Sequence, residues 1–180
     1  MAVEKQLYTI EDFKRFVEQP ENADRLFELI NGEIVEKTPG RATNSAIHTW
    51  ITFFVRLFCR EHNISCFIAA ADGAFNVLGR AYAPDFAYTT TPFTGEYPEP
   101  SAPQWAVEII SPNDKSSEIR AKRMIYLQAG ILYWELYPED QSIDVYTPNQ
   151  RAHTYRVGEV VDLGDLIPGF TLALRDILGS

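Results

Sequence analysis

The most constraining feature of the sequence is an apolar run with a single carboxylate inside it, from Gln104 to Pro112. A short apolar run that ends at a Ser-Pro pair predicts a strand buried on both faces of a sheet. An unpaired charge in such a strand would cost several kcal/mol, so Glu108 needs a charged or metallic partner. That partner must be a bound metal ion or one of the other charged groups of the chain.

A second carboxylate, Asp85, lies in another strand-like run, Tyr82 to Tyr88, where Pro84 restricts backbone pairing at the start. Hard divalent cations such as Mg²⁺ prefer oxygen ligands and keep several waters. Asp85, Glu108 and the backbone carbonyl of Ile109 would form such a metal site if the two strands are neighbours. A nearby lysine would then orient the attacking water or stabilise charge on a phosphate.

Size and composition fit one domain over residues 1–180 with a substantial core, because the chain has 46% hydrophobic residues. The longest nearly apolar stretch, Ile47 to Cys59, is shorter than the roughly 18 residues that a membrane span requires. The first six residues contain an acid and no apolar segment, so we expect no signal peptide and a cytoplasmic location. Cys59 and Cys66 are expected to be free thiols, since no metal-type spacing accompanies them.

The net charge of −9 argues against tight nucleic-acid binding by phosphate neutralisation alone. The charge is uneven, however, because four cations follow the Glu108 strand closely: Lys115, Arg120, Lys122 and Arg123. They predict a local basic face, and a bound divalent cation would offset nearby acid.

The segment from Arg25 to Glu36 consists of two β-prone runs about Asn31-Gly32, which is a strong hairpin signal. A two-residue turn places Glu28 and Glu33 diagonally on one face of the hairpin. A solvated face is one reading of these acids; in the other, Glu28 points into a cleft as an additional acid.

The remaining elements follow from apolar spacing and turn residues. Helices are predicted from Thr9 to about Gln19, from about Asn44 to Glu61, and from Ser111 to Ala129. Strands are predicted at 66–71, 73–78, 82–88, 131–137, 142–146 and 153–157 and within the stretch 104–112, with an exposed loop at 89–103. Helical spacing places Lys122 on the inward side of its helix with Tyr126. This order predicts an α/β (α+β) domain with a mixed central sheet flanked by helices, preceded by a helix and a hairpin.

Short motifs follow one another along residues 8 to about 177. They are Tyr8–Phe13, Phe27–Glu33, Tyr82–Tyr88, Val107–Pro112, Lys122 with Tyr126 and Ala129-Gly130, Leu132–Trp134, and Gly169–Leu172. In this order they resemble the Uma2 family, also called DUF820. Pro84-Asp85 followed by the Glu108 strand is similar to the wider PD-(D/E)xK nuclease superfamily. Ile110 stands where that superfamily has a lysine, and Lys122 stands where the family's lysine role is thought to have moved.

The resemblance implies a restriction-endonuclease-like core and Mg²⁺-dependent hydrolysis of phosphodiester bonds in DNA, with Mn²⁺ as a possible substitute. It assigns metal ligation to Asp85 and Glu108 and a catalytic role to Lys122. The Ile109 carbonyl as a third ligand and Glu28 as an additional acid are expected from the residues themselves. By analogy with nucleases of this fold, we expect a homodimer.

Structural alternatives remain open at each position. Glu108 could form only an ion pair with Lys122 or an arginine that holds strand and helix together, and Asp85 could cap a turn. Lys122 could extend past Tyr126 to solvent or pair with Glu118. His48 could be a hydrogen-bonded boundary residue. The functional alternatives are a catalytically silent binding or assembly module, for which Ile110 argues, and a phosphohydrolase of small substrates, which would suit the acidic composition.

Overall fold

A computed structural model describes residues 7–38 and 40–179. The expectation about a signal peptide concerns residues 1–6, which lie outside this range. The α-helices are α1 (Ile10–Val17), α2 (Ala42–Glu61), α3 (Ser116–Gln128) and α4 (Arg175–Leu178). The strands are β1 (Phe27–Ile30), β2 (Glu33–Glu36), β3 (Phe67–Ala70), β4 (Phe75–Val77), β5 (Arg80–Tyr82), β6 (Phe86–Thr89), β7 (Trp105–Ile109), β8 (Leu132–Tyr137), β9 (Ser142–Tyr146), β10 (His153–Arg156), β11 (Val160–Asp162) and β12 (Thr171–Ala173).

The central sheet has six strands in the order β10-β9-β8-β7-β6-β3. Strands β7 and β8 are parallel, with α3 as the connection between them, and the other pairs are antiparallel. This mixed sheet with its flanking helices confirms the predicted fold class. Every residue of β7 is buried, as the apolar run predicts.

The two faces of β7 pack against different helices, because successive side chains of a strand alternate. Trp105, Val107 and Ile109 belong to the core that contains the buried face of α2. Ala106 belongs to the core that contains Tyr126 of α3. Glu108 therefore projects on the α3 side of the sheet.

The hairpin has the predicted register. Glu28 is opposite Val35 and Ile30 is opposite Glu33, so these four residues share one face. Asn31 and Gly32 have φ values of 51° and 80°, the left-handed pair that a two-residue hairpin turn needs. Helix α1 begins at a capping box, in which Thr9 and Asp12 are bonded reciprocally.

The loop predicted to be exposed at 89–103 is buried in part, at Pro98, Glu99 and Pro103. Two predicted element boundaries are also wrong. The run from Tyr82 to Tyr88 is divided between β5 and β6, and Asp85 lies in the connection directly before β6. Helix α3 begins at Ser116 rather than after Ser111, because the Asp114 carboxylate accepts a hydrogen bond from the Ser111 N–H at 2.7 Å and stabilises a turn there. None of the helices among the described residues is long and apolar enough to span a membrane.

Candidate active site

Glu108 pairs with Lys122, which is the contact that the ion-pair alternative describes. Lys122 Nζ lies 3.1 Å from Glu108 Oε1 and also 2.9 Å from Glu28 Oε1 and 2.8 Å from Glu28 Oε2. All three residues are less than 10% exposed, at 8%, 9% and 5% for Glu108, Lys122 and Glu28. Glu118, the alternative partner of Lys122, pairs with Lys115 instead.

Glu28 joins the hairpin to the segment that carries Asp85. Its Oε1 accepts a hydrogen bond of 2.8 Å from the backbone N–H of Ala83. Of the two hairpin acids, Glu28 is thus the one buried in the cleft, which excludes the solvated reading for it. The face that Glu28 shares with Ile30 turns inward because Ile30 packs into the core around Tyr126.

Asp85 lies beside the end of β7. Its Oδ2 accepts a hydrogen bond of 2.8 Å from the N–H of Ile109. Ile109 has no partner in β6, because β6 begins at Phe86, which is opposite Val107. The N–H and C=O of one strand residue point to the same side. The carbonyl of Ile109 is therefore on the side of the strand where Asp85 lies.

Lys37, which sequence reasoning missed, is the second ammonium group of this site. Its Nζ donates a hydrogen bond to the carbonyl of Ala83 and lies 3.4 Å from Asp85 Oδ1. Lys37 directly follows β2, and no motif or spacing in the sequence relates it to Asp85. Only the packing of the hairpin against the residues before β6 brings them together.

The electrostatics of the site show an excess of negative charge. Burial raises the pKa of Glu108 to about 7; the Lys122 charge opposes this shift and the Asp85 charge adds to it. Burial lowers the pKa of Lys122, but the charges and hydrogen bonds of Glu108 and Glu28 outweigh burial and raise it above the ordinary value. Three carboxylates, those of Glu28, Asp85 and Glu108, face two ammonium groups, so one negative charge is uncompensated.

The residues present fit a hard divalent cation. Asp85 and Glu108 offer carboxylate oxygens, and no donor among the described residues bonds Glu108 Oε2. The described residues contain no cluster of three or more His, Cys, Asp or Glu side chains arranged for a metal. In a site of the Mg²⁺ type, the two carboxylates and the Ile109 carbonyl would be the protein ligands, and waters would complete the coordination.

These groups line one cleft of about 860 Å³. Its lining includes seven carboxylates, those of Glu28, Glu36, Asp72, Asp85, Glu108, Asp114 and Glu118, and four cations, Lys37, Arg41, Lys115 and Lys122. The predicted basic face is largely absent, because Lys115, Lys122 and Arg123 are each paired with an acid. The cleft is acidic overall.

Two further predicted positions lie in the cleft lining. His48 is half-buried, and its Nε2 lies 3.2 Å from Thr52 Oγ1, which fits the boundary role. Burial lowers the pKa of His48, and the Asp85 and Asp72 charges act in the opposite direction. Ile110 also lines the cleft, with its N–H donating to the Leu136 carbonyl at 2.8 Å.

A second acid–cation pair lies next to the first. Glu135 is opposite Glu108 in the parallel β7–β8 pair, and Arg123 binds it through two hydrogen bonds of 2.8 and 2.6 Å. The hydroxyl of Tyr137 also donates to Glu135 at 2.8 Å. The neighbouring acids are thus each paired with one of two consecutive cations of α3, and Glu135 is fully buried.

Comparisons with known proteins agree with this fold. Residues 10–175 match the Uma2 family, whose description is "putative restriction endonuclease". A crystal structure of a protein described as a putative nuclease belonging to DUF820, from Anabaena variabilis, superposes with a TM-score of 0.77 at 19% sequence identity, over 95% of this chain and 97% of that one. A comparison with curated proteins found no match. Because the family match extends over nearly the whole sequence, the chain belongs to the Uma2 family.

Proposed function

We propose that this chain is a nuclease that uses a divalent cation to hydrolyse phosphodiester bonds in DNA. The observation that supports this most is the convergence of Asp85, Glu108 and two lysines in a single cleft, although they come from four separate segments. Burial of an uncompensated acid is costly, so a site of this kind needs a cation or a proton to complete it. Membership of the Uma2 family supports the same reading.

In this proposal Asp85, Glu108 and the Ile109 carbonyl hold Mg²⁺ or Mn²⁺. When bound, the cation supplies Lewis acidity that activates water and neutralises charge on the phosphate. Lys122 keeps the Glu108 carboxylate ionised and oriented, while Glu28 fixes Lys122 from the other side. In the net reaction the oxygen of water bonds to phosphorus, the bond from phosphorus to the leaving oxygen breaks, and the leaving oxygen acquires a proton.

The test is an assay on duplex DNA, single-stranded DNA and RNA with Mg²⁺ or Mn²⁺. Asp85→Ala and Glu108→Ala should each lower the rate by at least about 100-fold. Asp72→Ala is the matched control, because Asp72 is an exposed carboxylate of the same cleft and, among the described residues, bonds neither the two candidate metal ligands nor the two lysines. Equal rates in all four proteins would show that the activity is contamination and would refute the proposal.

A phosphohydrolase of small substrates is the second candidate, and the acidic lining of the cleft favours it. Seven carboxylates against four cations would repel a long polyanion, whereas a single phosphodiester needs few phosphate contacts. Hydrolysis of bis(p-nitrophenyl) phosphate and cyclic dinucleotides, compared with long DNA at low salt, separates the two. Turnover of the small diesters alone would favour this candidate.

The silent binding module is distinguished by calorimetry with Mg²⁺ and Mn²⁺. Absence of binding at millimolar metal would support a silent module, whereas binding that is lost in Asp85→Asn would support an enzyme. We also propose a homodimer, as in other nucleases of this fold, which light scattering after size-exclusion chromatography would test.

A further inference from the structure

Lys37 and Lys122 differ in how many hydrogen-bond acceptors surround their ammonium groups. An ammonium group has three N–H donors. Lys122 Nζ has three carboxylate oxygens within 3.1 Å, and its side chain is only 11% exposed. A phosphate oxygen could reach Lys122 only by displacing one of these buried carboxylates, which would then lose its charged partner.

Lys37 is held more loosely. One N–H donates to the Ala83 carbonyl, and the next acceptor, Asp85 Oδ1, is 3.4 Å away, beyond the usual range for a hydrogen bond between charged groups. Within residues 7–38 and 40–179 its ammonium group has no third acceptor. The side chain is 19% exposed and lines the cleft. Lys37 thus presents at least one unused donor beside the carboxylate that is expected to bind the cation.

We propose that Lys37, rather than Lys122, is the catalytic lysine that contacts the scissile phosphate, and that Lys122 is a positioning residue for Glu108 and Glu28. This inference rests on the proposed phosphodiester hydrolysis. A phosphate bound beside Asp85 would receive a hydrogen bond from Lys37 to a non-bridging oxygen, where negative charge develops during hydrolysis. The Ala83 carbonyl anchors the ammonium at this edge of the cleft, and no proton is transferred from it.

The proposal also accounts for the missing lysine at Ile110. A lysine side chain at position 110 would extend toward the phosphate from the end of β7, next to Asp85. Lys37 brings an ammonium to Asp85 from the hairpin instead. Lys122 approaches Glu108 from the α3 side of the sheet and is enclosed by acids. The two lysines therefore contact different carboxylates of the site: Lys37 lies beside Asp85 with an unused donor, and Lys122 is enclosed by Glu108 and Glu28.

The test compares Lys37→Met, Lys37→Arg and Lys122→Met, with Lys115→Met as the control for loss of an exposed, cleft-lining cation that is paired with Glu118. Calorimetry with Mn²⁺ reports metal affinity independently of turnover. We expect Lys37→Met to bind Mn²⁺ as tightly as the wild type or several-fold more tightly, because a competing cation near Asp85 is removed. Lys122→Met should bind it more weakly, since Glu108 and Glu28 lose the ammonium group that holds both carboxylates in position.

At saturating Mn²⁺, Lys37→Met should hydrolyse the best substrate at least about 100-fold more slowly in kcat, and Lys37→Arg should retain part of the rate. Weaker Mn²⁺ binding by Lys37→Met, or an unchanged kcat, would overturn the inference. If the wild type hydrolyses nothing, the proposed function fails, but binding of inorganic phosphate to the Mn²⁺-loaded protein still tests Lys37. There, a loss of at least about tenfold in phosphate affinity in Lys37→Met, but not in Lys115→Met, supports the contact, and equal affinity refutes it.

Discussion

At the residue scale, Glu108 has two competing surroundings. Burial favours its neutral form, whereas the ammonium of Lys122 favours its charged form. Glu28 shares the same ammonium, so Glu108 does not have a whole counter-charge to itself. Burial is the larger of the two effects, so the pKa of Glu108 stays raised although its carboxylate is in an ion pair, and the shared ammonium adds to this only slightly.

The raised pKa of Glu108 gives the first prediction. Between its ordinary value of 4.5 and the folded value of about 7, the folded protein binds a proton that the unfolded chain has released. Without metal, stability should therefore fall as pH rises through this window, by about 1 to 3 kcal/mol. The side chain at this position does not titrate in Glu108→Gln. The difference in free energy of unfolding between this variant and the wild type should therefore shift by about 1 to 3 kcal/mol in favour of the variant from pH 5 to pH 8. Urea unfolding in EDTA measures the difference, and parallel pH curves would contradict the prediction.

Removal of Lys122 gives the second prediction. Lys122→Met leaves two buried carboxylates without their cation, so we expect a loss of about 3 to 5 kcal/mol in the free energy of unfolding at pH 8. The double variant Lys122→Met/Glu28→Gln should recover part of that loss, because only one buried charge remains. Lys115→Met, whose ion pair is largely exposed, should change stability by less than about 1 kcal/mol. Additive effects in the double variant would show that the two groups do not interact.

At the element scale, helix α3 supplies two consecutive cations to two neighbouring strands. Lys122 reaches Glu108 of β7, and Arg123 reaches Glu135 of β8. The first pair faces the cleft, whereas neither member of the second lines it. Helix α3 thus contributes one cation to the candidate active site and the next to an ion pair that holds the helix against the sheet.

The Arg123–Glu135 pair gives the third prediction. Arg123→Met should destabilise the protein by about 2 to 4 kcal/mol, because Glu135 is fully buried and loses a bidentate partner. Tyr137→Phe should cost about 1 kcal/mol through one lost hydrogen bond. Both variants should bind Mn²⁺ with wild-type affinity at temperatures well below their unfolding transition. Loss of metal binding in a folded Arg123→Met protein would mean that the two pairs are coupled.

At the scale of the whole molecule, an acidic chain of net charge −9 encloses an acidic cleft. A cation that binds the folded state alone must stabilise it by mass action. The fourth prediction is that 10 mM Mn²⁺ raises the thermal unfolding temperature relative to EDTA at equal ionic strength, with a gain of about 1 to 2 kcal/mol if the dissociation constant is near 1 mM. Asp85→Asn should lose this gain and Asp72→Asn should keep it, as differential scanning fluorimetry would show. An equal shift in both variants would indicate general screening of charge.

The sequence by itself determined the features that depend on local patterns. The apolar run around Glu108 specified a buried strand, Asn31-Gly32 specified the hairpin register, and helical spacing placed Lys122 inward. Those patterns were sufficient to predict the fold class and the meeting of Glu108 with Lys122, since β7 and α3 are consecutive elements.

Tertiary structure alone decided what depends on the packing of distant segments. Whether Glu28 was buried, and whether Lys37 reached Asp85, depended on how the hairpin lies against the residues before β6. The contacts that settle this are between residues 46 to 94 positions apart in the chain, and no local periodicity encodes them. Burial then turned a set of ordinary acids and lysines into one group with an uncompensated charge, because only exclusion of water makes that imbalance costly.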